Sequence, residues 1–344
     1  MTANRPIRLA IDAMSGDRGP SVVVPAALDA LRDNPRLNIV LVGDEAVLGA
    51  ALATAGGSLR DRVAIRHARE VVAMDEAPTQ ALRGKRDSSM RVAINLVKSG
   101  DAAACVSAGN TGALMATAHY VLKMLPGINR PAICSALPAI DGHVYMLDLG
   151  ANADCTAAHL LEFAVMGSAL VSAVDGIAEP RIGLLNIGEE EIKGNERVKD
   201  AARLIAASGL NYTGYIEGDD LALGKADVVV SDGFAGNVAI KSIEGTAHLI
   251  KLILREAFSR NLVSRLQGLA AMPTLNRLSR QLNPQGYNGA SFLGLRGIVV
   301  KSHGDADRFG FKTAIQAALV EVDQNVPERI SHMLIETHAP ELEA

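Results

Sequence analysis

The chain has no tryptophan, and phenylalanine and tyrosine bring its aromatic content to only 3%. Proteins that bind single-stranded nucleic acid use aromatic side chains as stacking platforms, so this class is disfavoured. Positive charge is not in excess either, since 34 Lys and Arg face 38 Asp and Glu, giving a formal net charge of −4. Nucleic-acid binding favours a basic surface. The composition therefore predicts that no nucleic acid is a partner.

Cysteine is scarce as well, with only Cys105, Cys134 and Cys155 along 344 residues. Three widely spaced cysteines form neither a disulfide framework nor a CxxC site, so each is predicted to be a small buried side chain. This usage favours a reducing compartment, and residues 1–12 lack the apolar core of a signal peptide. Residues 102–122 carry no charge, but polar residues and glycines in their middle favour a strand, loop and helix over a membrane span. A cytoplasmic protein is expected.

Several well-marked catalytic motifs are missing. No two glycines stand two positions apart, so the GxGxxG dinucleotide fingerprint cannot occur. The GxxxxGK[ST], HExxH and GxSxG motifs are also absent. No cluster of potential ligands has a recognisable metal-binding spacing. The sequence therefore predicts neither a metal nor a cofactor.

What the sequence does contain is a recurring unit of strand, glycine-bearing loop and helix. The predicted strands cover residues 7–12, 38–42, 63–68, 102–106, 144–149, 182–187, 227–231 and 297–301. This recurrence is typical of a largely parallel sheet with helices on both faces. Residues 75–89 are predicted to form a polar loop. The length fits either two domains or one large intertwined α/β unit.

Five of the loops combine glycine with short polar residues: 15–17, 107–112, 150–154, 188–195 and 232–237. Loops that follow parallel strands gather on one side of a sheet, where ligands bind. Each loop taken singly is better explained by helix caps and turns. Taken together, with Lys85, Lys193, Lys301 and His303 nearby in the pattern, they favour an anion-binding site.

Two of these loops carry the most chemistry. In the loop 107–112, Asn110, Thr111 and the backbone N–H groups in the first turn of the following helix could donate hydrogen bonds to a phosphate. The alternative is a capped helix with nothing bound. Within Gly183–Glu196 a buried strand breaks into three glutamates and then reaches Lys193 and Asn195. This stretch is either a catalytic loop or an acidic, solvated loop before a surface helix.

The chain resembles the bacterial phosphate acyltransferase (PlsX) family over nearly its whole length. The motifs that carry the resemblance are IDAMSGD (11–17), KRDSSM (85–90), VSAGNTGALM (106–115), LDLGANADC (147–155), GLLNIGEEEIKGNE (183–196), IEGDD (216–220), VVVSDGFAGNVAIK (228–241) and GLRGIVVKSHG (294–304). Two positions depart from the family pattern: Ser15 stands where glycine is usual, and Arg86 where proline is usual.

The resemblance implies a three-layer α/β/α, Rossmann-like fold similar to isopropylmalate dehydrogenases and phosphotransacetylases, in a single domain over residues 1–344. It implies that acyl-carrier-protein thioester and inorganic phosphate give acyl phosphate and free carrier protein. It also implies a homodimer that associates peripherally with the membrane and supplies a membrane glycerol-3-phosphate acyltransferase.

Inorganic phosphate can act as its own nucleophile, so such a reaction needs no catalytic Ser or Cys. The hypothesis gives Lys193 the oxyanion or phosphate charge, with Asn237 and Asn195 as neutral donors. The loop 107–112, with Asn110 and Thr111, cradles phosphate. His303 either protonates the leaving thiolate or holds Lys301 and the loop in place. A covalent route through Cys155 is the less favoured alternative. The predicted substrate-binding residues are Asp12, Asp17, Lys85, Ser107, Asn110, Thr111, Asn152, Asn195, Asp232 and Lys301.

Residues 257–304 contain no Asp or Glu, although chance would place about five acids there. This stretch overlaps a predicted helical protrusion at 238–285, with a break at Met272-Pro273. Two sets of leucines share helix faces, at 262, 266 and 269 and at 275, 278 and 282. Apolar and basic residues without acid suit an anionic membrane surface. The alternative is a dimer-interface hairpin whose leucines pack on a partner. The two can coexist, with a helix over 237–267 in the dimer and the tip on lipid. A coenzyme A-dependent phosphotransacylase and a non-catalytic lipid-enzyme scaffold are the rival functions.

Overall fold

A computed structural model describes residues 6–53, 57–281 and 283–342 as one continuous sheet covered by helices. The strands are β1 Ile7–Asp12, β2 Leu37–Gly43, β3 Val63–His67, β4 Ala104–Ser107, β5 Ala132–Ala139, β6 Gly142–Leu147, β7 Ile182–Leu185, β8 Tyr212–Ile216, β9 Val228–Val230, β10 Ala290–Leu293 and β11 Ile298–Lys301. The helices are α1 Pro20–Asp33, α2 Glu45–Leu52, α3 Gly57–Arg60, α4 Pro78–Gly84, α5 Ser89–Ser99, α6 Thr111–Leu122, α7 Ala157–Val174, α8 Glu196–Ala207, α9 Asp220–Leu223, α10 Gly233–Ser259, α11 Leu262–Gln281, α12 Arg308–Gln324 and α13 Val326–Leu342.

The strands are arranged in the order β3-β2-β1-β4-β11-β10-β5-β6-β9-β7-β8. Seven of the ten neighbouring pairs are parallel, which confirms the prediction of a largely parallel sheet. The other three pairs are antiparallel and lie together in the middle, between β11 and β6.

These three reversals decide where the loops lie. Because strand direction changes three times between β11 and β6, the strands β6, β9, β7 and β8 run opposite to β1 to β4 and β11. Loops 15–17 and 107–112 therefore follow strands at one end of the sheet, here called the Lys301 end. Loops 150–154, 188–195 and 232–237 follow strands at the opposite end, here called the Lys193 end. The prediction that all five loops gather on one side is wrong within one chain.

Both faces of the sheet are covered, as the three-layer prediction requires. On one face, helices α5 and α6 pack on β1, β4 and β11, with Ile94, Leu114 and Cys105 in a common core. On the other face, α1 and α12 cover the first group of strands, with Leu31 and Phe311 buried. Helices α7 and α13 cover the second group on that same face.

Some elements escaped the sequence prediction. The predicted polar loop 75–89 is wrong, because it contains α4, which begins at Pro78. Proline is well suited to the first turn of a helix, so a Pro that reads as a loop signal here starts a helix instead. Strands β5, β8 and β10 and helix α13 were not predicted either. β5 is rich in Ala and carries Pro138, so it lacks the β-branched alternation by which strands are found.

The uncharged stretch 102–122 forms β4, a loop and α6, as predicted. In the described part of the chain, one helix, α7, is long and apolar enough to cross a membrane by length and composition. Of that helix, 67% is buried inside the protein. It is a core helix in this fold.

Helices α10 and α11 contact each other as a hairpin. The expected helix over 237–267 is wrong at its C-terminal boundary, since α10 ends at Ser259 and α11 begins at Leu262. The expected break at Met272-Pro273 is wrong too, because α11 continues through Pro273. On an exposed helix, water can satisfy the carbonyl that proline leaves unbonded. Leu282 and the side chain of Leu278 lie outside the described residues.

The buried carboxyl of Glu321 on α12 gives the fold a testable pH dependence. Ser291 donates a hydrogen bond to it, yet burial raises its pKa to about 7. Between pH 4.5 and 7 the unfolded chain releases this proton while the folded chain retains it, so the free energy of unfolding falls by up to about 3 kcal/mol. Glu321→Gln should remove this loss. The free energy of unfolding of the variant, measured relative to wild type, should therefore be higher at pH 8 than at pH 4.

The measurement is urea unfolding of both proteins at pH 4, 6 and 8. Glu336→Gln, which removes an exposed carboxylate from α13, is the matched control and should follow wild type. A parallel pH dependence for wild type and Glu321→Gln would contradict the prediction.

Candidate functional site

At the Lys301 end, three polar residues form a row across neighbouring strands. Asp12 on β1 pairs in register with Ser107 on β4, which pairs with Lys301 on β11. Residues two positions earlier on these strands, such as Cys105, belong to the core under α5 and α6. Because side chains alternate along a strand, the polar row lies on that same face.

Asp12 is fully buried in this row. Its Oδ2 accepts hydrogen bonds from Ser15 Oγ at 2.6 Å and from Ser107 Oγ at 2.7 Å. Among the described residues its Oδ1 has no hydrogen-bond partner. The backbone N–H of Asp17 donates to the carbonyl of Gly304 at 2.8 Å, which joins the first loop to the one after β11.

Lys301 is only 8% exposed, and its amine donates to the carbonyl of Ser302. Burial lowers the pKa of Lys301 to about 8, and the charge of Lys241 lowers it further while Asp17 and Asp12 oppose the shift. The amine therefore titrates close to neutral pH. Lys241 lies on α10, so this helix, which starts at the Lys193 end, brings a second cation near Lys301.

Two predicted ligands at this end have structural roles. Asn110 accepts a hydrogen bond from the N–H of Ala113 at 3.0 Å, which caps α6. Its side-chain amide donates to the carbonyls of Met74 at 2.7 Å and Glu76 at 3.0 Å. An Asn amide has two hydrogens, so both are used. Lys85 pairs with the Glu76 carboxylate at 2.5 Å, a hydrogen bond that lowers the pKa of Glu76.

Thr111 and His303 are more open. Thr111 is exposed at the first turn of α6. His303 is about half exposed, and its Nδ1 lies 2.6 Å from Oδ1 of Asp305. The N–H of His303 donates to Asn288 at 2.9 Å, and Asn288 also donates to Ser302 Oγ at 2.8 Å. Asn288 was not predicted, because it lies in a polar segment without a strand or helix pattern.

At the Lys193 end, the buried Asp148 organises the loop after β6. Its carboxylate accepts from the backbone N–H groups of Ile133 at 2.9 Å, Ala151 at 3.1 Å and Asn152 at 2.7 Å. Burial raises the pKa of Asp148, and these hydrogen bonds oppose the rise. The side-chain amide of Asn152 donates to Asp148 and to the carbonyl of Pro131. The predicted ligand Asn152 is therefore a buried structural residue.

Helix α10 starts against this loop. Asp232 caps it by accepting from the N–H of Ala235 at 2.8 Å. A Cβ on Gly236 would stand 2.0 Å from the carbonyl oxygen of Asp148, so only glycine permits this approach. Asn237 is exposed, and its amide donates to the carbonyl of Leu149 at 3.1 Å. Asn237 thus lies where the start of α10 meets the loop.

Arg197 connects the starts of two helices. From the first turn of α8 it donates to Asp232, to Asp154 at 3.0 Å and to the carbonyl of Cys155 at 3.3 Å. Asn195 caps α8 by accepting from the N–H of Val198 at 3.0 Å. Helix N-termini carry partial positive charge, so the paired starts of α8 and α10 favour an anion. Sequence reasoning missed Arg197 because it resembles an ordinary surface charge of α8.

Lys193 projects from the loop beside these helix starts. Its side chain is 44% exposed, and its Nζ is 3.8 Å from Oε2 of Glu190. The amide of Asn186 donates to the carbonyls of Gly188 at 3.0 Å and Lys193 at 3.4 Å, which fixes the loop. Gly194 has φ +86°, and a Cβ there would stand 2.3 Å from Asn186. The Asn186 side chain thus fixes the backbone of the loop, while the Lys193 amine stays accessible to solvent.

The structure therefore separates the predicted site residues into two groups. The Lys193 end holds Asn152, Lys193, Asn195, Asp232 and Asn237, and the Lys301 end holds Asp12, Asp17, Lys85, Ser107, Asn110, Thr111, Lys301 and His303. Both groups lie on the same face, because Met146, two residues before Asp148, also belongs to the core under α5 and α6. Among the described residues, no group of three or more His, Cys, Asp or Glu is placed to hold a metal ion.

Known proteins with similar sequences cover the chain almost completely. A family model described as "Fatty acid synthesis protein" matches residues 7–329. The phosphate acyltransferase of Methylococcus capsulatus is 58% identical over 96% of this chain and 98% of its own. The phosphate acyltransferase of Alkalilimnicola ehrlichii is 59% identical over 95% of this chain and 96% of its own.

Solved structures agree on the fold. A phosphotransacetylase from Streptococcus pyogenes has a TM-score of 0.62 at 19% identity, covering 92% of this chain and 94% of that one. A branched-chain phosphotransacylase from Enterococcus faecalis has a TM-score of 0.60 at 15% identity, covering 92% and 99%. These likenesses confirm the predicted Rossmann-like class. The sequence identities to the two curated relatives are far higher, and by them the chain belongs to the phosphate acyltransferase (PlsX) family of lipid-synthesis enzymes.

Proposed function

We propose that the chain transfers an acyl group from acyl-carrier protein to inorganic phosphate, giving acyl phosphate and free carrier protein for phospholipid synthesis. The observation that carries the proposal is the Lys193 end, where the starts of α8 and α10 are tied together by Arg197 beside an accessible lysine. In a member of this family, that arrangement suits an anionic nucleophile and an anionic transition state.

For this reaction the protein has to position the two reactants and stabilise negative charge. A phosphate oxygen attacks the thioester carbonyl carbon, the carbonyl oxygen gains negative charge, and the C–O bond forms. The C–S bond then breaks and the thiolate takes up a proton. Phosphate supplies the electron pair, so no side chain needs to form a covalent bond. Holding both reactants together and stabilising the oxyanion provides the rate enhancement.

Lys193 and Asn237 are the residues best placed for this stabilisation. Both are exposed at the Lys193 end, whereas Asn152 and Asp232 are engaged in hydrogen bonds that hold the loops. Asn195 is exposed too, and its Oδ1 caps α8. We assign Lys193 the developing negative charge, and Asn237 and Asn195 neutral donor roles. Asn152 and Asp232 position the helix starts rather than contact the substrate.

The Lys301 end is assigned a supporting role. The strands that lead to it run opposite to those that lead to Lys193. We keep for His303 either protonation of the leaving thiolate or support of its loop. If His303 only supports the loop, water supplies that proton. Lys301, Thr111 and His303 are kept as candidate ligands of a second anionic group.

The rival functions make different demands. A coenzyme A-dependent phosphotransacylase would form acyl phosphate faster from acyl-coenzyme A than from acyl-carrier protein. A non-catalytic scaffold would bind vesicles and form no acyl phosphate at all. One assay of acyl phosphate formation with each thioester and phosphate distinguishes the three. We propose the carrier-protein reaction because the chain shares more than half of its residues with phosphate acyltransferases.

We further propose a cytoplasmic homodimer that associates with the membrane through the helical protrusion, where its acyl phosphate supplies a glycerol-3-phosphate acyltransferase. In α10 only Gly233 and Gly236 are buried. In α11, Leu262, Leu266 and Leu269 are 77%, 66% and 63% exposed. Their spacing puts them on one face, next to arginines and without any acid. Such a surface favours anionic lipid.

Replacing Lys193 tests the catalytic assignment. Lys193→Ala should lower kcat by on the order of a hundredfold, since removal of one oxyanion-stabilising group costs about that much. The matched control is Lys199→Ala, which removes a lysine paired with Glu196 at 3.4 Å on α8. The control should retain nearly the wild-type rate of acyl phosphate formation. A folded Lys193→Ala enzyme with near wild-type kcat would contradict the assignment.

Cys155 tests the direct, non-covalent route. Burial raises the pKa of Cys155 to about 11, so the nucleophilic thiolate is a minor species at neutral pH. Cys155→Ala should therefore keep kcat within a few-fold of wild type. Single-turnover assays should also show no acyl-enzyme. Loss of activity in a variant with wild-type thermal stability would support a covalent acyl-cysteine instead.

The membrane proposal is tested by flotation with vesicles that contain anionic lipid. The double substitution Leu262→Glu/Leu266→Glu should remove most of the floated protein, because charged residues replace the exposed apolar face. Ile335→Glu changes a leucine-sized side chain that is 70% exposed on α13 and should float like wild type. Equal flotation of all three proteins would rule out membrane contact by this face.

A further inference from the structure

A cationic surface lies at the C-terminal end of α6, outside the proposed catalytic site. It consists of Arg91, Tyr120, Lys123 and Arg296, and is called here the Tyr120 patch. The Tyr120 ring is 56% exposed, with Arg91 Cζ 5.0 Å and Lys123 Nζ 4.9 Å from its centroid. The backbone of Arg296 donates to the carbonyl of Lys123 at 3.1 Å, and its Nε donates to the carbonyl of Met124 at 2.9 Å.

The cations of the patch lack acidic partners. Residues 102–140 and 257–304, from which three of its four members come, contain no Asp or Glu. Within the described residues, none of the ion pairs involves Arg91, Lys123 or Arg296. Two of these charges share one ring and stand within about 10 Å of each other, roughly one Debye length at physiological salt. Carboxylates from another molecule would pair with these cations and lower their mutual repulsion further than salt does.

Lys123 and Arg296 place the patch at the Lys193 end of the sheet, and Arg91 reaches Tyr120 from the first turn of α5. Arg296 precedes β11, and Lys123 follows α6 at that end. From Lys123 the chain continues to Pro131, whose carbonyl accepts the hydrogen bond of Asn152 in the loop after β6. Four steps between neighbouring strands separate β11 from β9, or about 19 Å. A flexible arm of that reach would connect the patch with Asn237, which follows β9. Lys193 follows β7, one strand further on, or about 5 Å more.

We propose that the Tyr120 patch is the docking surface for an acidic face of the acyl-carrier protein, an inference that rests on the proposed function. The whole chain has a formal net charge of −4, so it repels an acidic protein except where positive charge is concentrated. The patch provides such a place, at the same end of the sheet as the reacting groups. It contains one aromatic side chain and no aliphatic cluster, which fits a protein surface better than a bilayer.

The test compares charge reversal at the patch with the same change elsewhere. Arg91→Glu/Lys123→Glu is the test variant, and Lys199→Glu/Arg203→Glu on α8 is the matched control of equal charge change. Binding of fluorescently labelled carrier protein is measured by anisotropy at two salt concentrations. KM and kcat are measured with acyl-carrier protein and with a small acyl thioester. Circular dichroism verifies folding.

The test variant should bind the carrier protein at least tenfold more weakly than the control does. Its KM for acyl-carrier protein should rise accordingly, while kcat and the rate with the small thioester stay within about twofold of the control. The variant Arg91→Lys/Lys123→Arg keeps both positive charges, so it should bind the carrier protein as tightly as the control does. If the reversal variant fails to fold, Lys123→Gln/Arg296→Gln replaces it and should weaken binding several-fold.

Equal affinity in the test and control variants would overturn the docking proposal. Loss of vesicle flotation with retained carrier affinity would also overturn it and assign the patch to anionic lipid. If wild type forms no acyl phosphate from acyl-carrier protein, the proposed function fails. The anisotropy titration still decides the docking surface in that case, so the two failures are distinguishable.

Discussion

The run of three antiparallel pairs from β11 through β10 and β5 to β6 is the constraint on which the rest of the molecule depends. It reverses the second group of strands, so that β6, β9 and β7 present their carboxyl ends away from those of β1, β4 and β11. The Asp148 carboxylate locks this reversal by accepting the N–H of Ile133 at the start of β5. The starts of α8 and α10 are then placed beside that carboxylate rather than beside Asp12.

This division explains what the sequence could and could not predict. Strand, loop and helix are local patterns, so β1, β2 and β11 were predicted to within one residue at each end. Strand direction is not local: it depends on which strands pair, and the pairing strands β5 and β10 are short or poor in β-branched residues. The polar loops were therefore identified correctly, while their assembly on one side was not.

The same limit applies to individual side chains. A loop Asn looks identical in sequence whether it binds a ligand or the backbone. In the structure Asn110, Asn152 and Asn195 bond to nearby backbone groups, because helix starts and buried loops leave N–H and C=O groups that must be satisfied. Asn237 likewise donates to the carbonyl of Leu149, but Asn237, Asn195 and Lys193 all remain exposed. Most of the polar residues predicted to bind substrate therefore form hydrogen bonds that stabilise loops and helix starts. Only a minority is available to contact substrate.

Electrostatics has to act locally, because the protein as a whole is acidic. The three glutamates beside Lys193 oppose the binding of an anion there. Glu189, however, is paired with Lys225 at 2.8 Å, and Lys225 also binds Asp220 at 2.7 Å, so this acid is directed away from the lysine loop. Arg197 likewise neutralises Asp232 at the start of α10. Glu190 lies 3.8 Å from the Lys193 amine and offsets part of its charge. The positive ends of α8 and α10 act against these acids, and so do the cations around Tyr120, which form no ion pair among the described residues. Charges within about 10 Å dominate at physiological salt, so local charge rather than the net charge of −4 decides whether an anion is attracted to this end.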